Sequence, residues 1–99
     1  MNVNSESSEK VIFVNRYEMV FRLNGLLNNL QAYFSTRLNV SKDVPANDIE
    51  YFQNKLEIIR QLNRTPEVFD NDILMQELID EYSPIMKAIN FGEEIPIVK

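Results

Sequence analysis

The 99-residue chain contains no cysteine and no histidine. Thiolate nucleophiles, disulfides and zinc sites built on either residue are therefore excluded, as are histidine bases and serine–histidine triads. An all-carboxylate metal site is the one metal chemistry the composition leaves open. Glycine occurs twice and proline four times, which is little material for tight β-turns and points to helices. No apolar run approaches the ~18 residues of a membrane span. The first ten residues, MNVNSESSEK, lack the charged-then-apolar order of a secretory signal. The expectation is a soluble cytoplasmic protein without membrane contact.

Basic residues are also in deficit. Ten Lys and Arg face fifteen Asp and Glu, for a net charge of −5. The imbalance is uneven: residues 1–46 carry +1 and residues 47–99 carry −6. Phosphate-backbone binding needs a dense basic face, so direct contact with nucleic acid is not expected.

What is present suits an ordinary folded domain, with 44% hydrophobic and 25% charged residues. A chain of this length supports one core, burying ~60–70% of the surface its unfolded form exposes. No internal repeat appears. The division expected is a flexible polar leader at 1–10, a helical domain at 11–92 and an extended tail at 93–99.

Start and stop signals delimit three helices. Asn15 followed by Glu18 forms a capping box, with Val14 and Met19 placed as a hydrophobic staple. The first helix then runs over about 16–38, with Leu23, Leu26, Leu27, Leu30, Tyr33, Phe34 and Leu38 on one face. Asn47 and Glu50 repeat the box and open a second helix over about 48–63. Thr65-Pro66 reads as a cap and first turn, and Asp70 or Asn71 caps a third helix over about 72–91 that stops at Gly92. Pro84 inside it predicts a kink or a restart. The apolar segments 11–14 and 95–98 are placed to pair or to hang free. These elements predict an all-α fold, a three-helix bundle with extended N- and C-terminal segments.

The first helix carries the most unusual surface. Between Arg22 and Arg37 it has no charged residue. Opposite its core stripe lie Tyr17, Phe21, Gly25, Asn28 and Ala32, where a solvated helix ordinarily carries Lys and Glu. A second helix-packing face for self-association or a protein partner is the reading this supports. The alternative is a polar uncharged face in water, or cover by the chain's own tail.

A second candidate is an acidic ridge of Glu77, Asp80 and Glu81 on the third helix. It suits a basic surface on a larger, nucleic-acid-binding protein. Phage and mobile-element accessory proteins inhibit or regulate in that way. The plainer reading is a solvated face.

Catalysis ranks last. Asp48/Glu50 and Asp80/Glu81 are close in sequence, but acid–base work needs convergence in a dry pocket. Arg16, Arg22, Arg37 and Lys42 are candidates to grip an anionic substrate, though ion pairing and snorkelling account for them, Glu18 pairing with Arg22. Lys55, amid the apolar half of the second helix, is expected to pack its stem and reach an acid of the third. Phe13, Phe34, Phe52, Phe69, Tyr82 and Phe91 read as core. No catalytic, cofactor or metal residue is assigned. The functional expectation is a non-enzymatic, self-associating protein–protein interaction module with an assembly or adaptor role.

Overall fold

The computed structural model describes residues 15–95 and 97. They form a three-helix bundle: α1 (Arg16–Thr36), α2 (Ile49–Asn63) and α3 (Asp72–Asn90). The expected lead-in at residues 11–14, its staple to Met19, and Phe13 lie outside the described residues.

The caps explain two of the three starts. The Glu18 amide donates to Asn15 Oδ1 at 2.9 Å, and the Leu74 amide donates to Asn71 Oδ1 at 3.0 Å. The second start differs from the expectation. Ala46–Asp48 form a 3-10 turn, closed by the Asp48 amide on the Pro45 carbonyl at 2.8 Å. Asn47 thus sits inside a turn ahead of α2, and Asp48, the residue at the cap position, makes no side-chain cap bond. Thr65 and Pro66 do stand as cap and first residue of the 3-10 turn Pro66–Asp70, which the Val68 amide closes on the Thr65 carbonyl at 3.0 Å. The Thr65 hydroxyl makes no cap bond there and donates backward to the Gln61 carbonyl of α2 at 2.7 Å.

At the other end of α3, Gly92 adopts a φ of 70°. The Glu93 amide reaches the Ala88 carbonyl at 2.8 Å, and the Gly92 amide reaches Ile89 at 3.1 Å. This pair of bonds needs a left-handed residue, which glycine adopts without a Cβ clash. α3 continues through Pro84 as one helix, so of the kink or restart expected there the restart does not occur. Tyr82 and Ile85 are both buried and hold the two halves on one packing surface.

α1 is the central rod. Both other helices approach its backbone closely, and they approach each other much less. Leu23, Leu27, Leu30 and Phe34 are fully buried between Phe52 and Ile59 of the second helix and Met75, Ile79 and Tyr82 of the third. Truncating one such leucine to alanine costs about 2–5 kcal/mol. Arg16 meets Asp72 at 2.9 Å, so α1 and α3 start side by side. α2 returns along α1, and Asn63 Nδ2 donates to Asn28 Oδ1 at 2.7 Å. Past the helices, Ile95 is buried in the core and Ile97 packs against it, so these tail residues do not hang free.

Candidate functional site

Tyr17 and Phe21 stand one helical turn apart and are 87% and 83% exposed. Burying such rings contributes about 1.5–3 kcal/mol each, so their exposure is a cost that no contact among the described residues offsets. The remaining stripe residues divide. Asn28 accepts from Asn63 and donates to Asn24 at 3.4 Å, which ties it to the α1–α2 seam. Gly25 and Ala32 border the groove between α1 and α3, beside Met86. A Cβ added at Gly25 would meet nothing within 4 Å. No contact among the described residues therefore explains a glycine there, although glycine costs ~1 kcal/mol against alanine in a helix interior.

The same end of the bundle exposes a further apolar residue. The Arg16–Asp72 pair sets the first turns of α1 and α3 together, so Tyr17 and Ile73 emerge at one end. Ile73 is 76% exposed. At the opposite end of α3, Phe91 is exposed and not core, because the chain turns away at Gly92 directly after it. Phe34, Phe52 and Tyr82 are buried as expected, and Phe69 packs half-buried against them.

The acidic ridge is not a uniform row of charges. Glu77 is exposed. Asp80 is half-buried and accepts from Gln76 Nε2 at 3.0 Å. Glu81 lies 3.9 Å from the ammonium of Lys55 across the α2–α3 interface. That ammonium also faces the rings of Tyr51 and Tyr82 at 5.3 and 5.7 Å. Lys55 thus packs its stem and meets an acid of α3. Burial, then the Glu81 charge and Tyr51, push the Tyr82 phenol up to about 12. Burial, then Glu81, also raises Tyr51.

The basic residues of α1 separate. Arg16 pairs with Asp72, and no ion pair joins Arg22 to Glu18 among the described residues. Arg37 and Lys42 come together at the end of α1, where Arg37–Ser41 form one π-helical turn and Lys42 follows at a φ of 52°. Such turns cost regular hydrogen bonding and recur at functional positions. A non-glycine residue in the left-handed region carries strain of about 1–2 kcal/mol. Arg60 of α2 reaches the same place, a residue with no sequence signal linking it to the other two.

Among the described residues, no group of three or more carboxylates is placed to hold a metal ion, and no helix is long and apolar enough to cross a membrane. The chain matches no protein-family model, no curated protein and no solved structure. Fold and surface therefore define the class, a small all-helical bundle.

Proposed function

We propose that this chain is a non-enzymatic interaction module that pairs with a second copy of itself through the outer face of α1, as part of an assembly or adaptor. The observation that carries the reading is the near-complete exposure of Tyr17 and Phe21 at the head of a helix without charge from Leu23 to Thr36. A twofold interface places the same patch on both partners, so it must be complementary to itself. A patch of one charge sign opposes its own copy; this aromatic one does not, since the Glu18 and Arg22 that flank its rings are opposite in sign. With five net negative charges per chain, two copies meet most favourably where charge is absent. Gly25 adds to this, since a backbone without a Cβ admits a close neighbour.

The area available sets the strength. Four such rings bury about 700 Å² in a dimer, below the ~1,200 Å² of a standard stable interface. Neighbouring residues must supply the rest. The expected complex is weak, with a Kd of about 10–100 μM.

Light scattering with in-line chromatography over a concentration and salt series tests the reading. The expected mass rises above one chain at high concentration, persists from about 0.05 to 1 M salt, and falls to one chain in Phe21→Glu. A single-chain mass at about 500 μM would overturn it. Capture of a basic protein by the acidic ridge predicts the opposite salt response and loss on reversing Glu77, Asp80 and Glu81 to Lys. The pairing of Glu81 with Lys55 leaves that ridge less charge to offer.

A further inference from the structure

We infer that the cleft at the α1–α2 corner is a binding site for a small amphipathic anion, a carboxylate or phosphate monoester carried on a short apolar body. The cleft has a volume of about 500 Å³, within the ~300–1,000 Å³ usual for small-molecule sites. Its walls hold three cations, Arg37, Lys42 and Arg60, and no carboxylate. In a chain with fifteen acidic and ten basic residues, that local balance runs against the composition. Its apolar lining is Leu38, Val44, Ile49 and Leu56. A ligand of one character alone leaves half of this lining unmatched.

The cations are not equally available. Arg37 donates from Nε to Asp43 at 2.6 Å and from Nη1 to the Tyr33 hydroxyl at 2.6 Å. Its guanidinium also lies 5.3 Å from the centre of the Phe52 ring. These contacts fix one wall in place. Lys42 and Arg60 have no ion-pair partner among the described residues. They are the two charges left to meet an anion.

The backbone holds Lys42 there at a cost. Glycine would suit its left-handed conformation better, yet the position carries a cation. Lys42→Gly therefore separates the two roles of the residue: it relieves the backbone and removes the charge. The cleft lies at the far end of α1 from Phe21, about 24 Å along the helix axis, so it is independent of the self-association face.

The test is an amide-resolved NMR titration of the full chain with decanoate and with nonyl phosphate, which carry the same nine-carbon tail. Inorganic phosphate and decanol serve as the head-only and tail-only probes. Saturable shifts at Leu38, Asn39, Gln53 and Leu56 with either amphipathic anion are expected, and comparing the two identifies the preferred head group. Arg60→Gln and Lys42→Gly each weaken binding about fivefold, the effect of losing one partly exposed ion pair. Lys42→Gly does so with an unchanged or raised Tm. Absence of saturable shifts overturns the site. So does equal binding of decanol or of inorganic phosphate, or full affinity retained in both variants.

Discussion

Lys55 of α2 faces Glu81 of α3 at 3.9 Å, joining two helices whose backbones otherwise approach little. The ammonium sits in a recess between the Tyr51 and Tyr82 rings, with the Lys55 side chain 18% exposed and that of Glu81 53%. Half-exposed pairs are screened, so the Coulomb contribution is at most about 1 kcal/mol. The ring contacts and the packed stem add to it.

Reversing one charge tests the brace. Glu81→Lys should destabilise by about 1 kcal/mol, because it sets two ammonium groups against each other. The double change with Lys55→Glu should recover part of that loss. Urea unfolding of the four proteins in a double-mutant cycle measures the coupling. A coupling of zero would mean that the two helices are held only by what they share with α1.

Alkaline pH should weaken the fold through Tyr82. Its phenol is raised to about 12 by burial, above the ordinary value near 10. The unfolded chain releases the proton first, so stability is full below pH 10 and falls as pH rises towards 12. The loss by pH 12 is about 2 kcal/mol. Denaturant midpoints across this range should shift less in Tyr82→Phe, with Tyr51 supplying the smaller remaining slope.

Gly25→Ala should stabilise the single chain by about 1 kcal/mol, since the added methyl meets no neighbour and helix propensity improves. In a domain of this size that raises Tm by roughly 4–8 °C at low concentration. Under the self-association reading, Gly25→Leu lowers the mass by light scattering while the fold persists. An unchanged mass in Gly25→Leu would remove Gly25 from the interface.

Ser83 presents a hydroxyl that is buried and makes no hydrogen bond among the described residues. Leaving such a group without a partner costs about 1–3 kcal/mol. Ser83→Ala should therefore stabilise α3 by about 1 kcal/mol, with the added benefit of alanine's helix propensity. Thermal unfolding monitored by circular dichroism checks it. A loss of stability would show that the hydroxyl has a role in accommodating Pro84.

Much of this molecule follows from local chemistry. Asn15 and Asn71 cap helices because their side chains reach amides three residues on, and Gly92 stops one because it accepts a positive φ. These are short-range effects. The buried faces of α1 and α3 follow from periodicity, which needs only a partner of some kind on the apolar side. The charge-free run after Arg22 is equally plain in the chain.

Other features depend on how rods meet. Ile58 and Ile73 carry the same apolar character as their buried neighbours, yet they are exposed because none of the described helices covers that side. The joining of Arg60 to Arg37 and Lys42 depends on the register of the α1–α2 hairpin, and the π-helical turn on how the end of α1 seats against α2. Glu81 became a brace, not a free charge, because Lys55 stands across from it. Local hydrogen bonding and hydrophobic periodicity act within a few residues, so sequence alone determined the starts of α1 and α3, the stop at Gly92 and the main buried stripe of each helix. Which charges converge and which greasy residues stay bare are long-range outcomes of packing, and only the tertiary structure decided them.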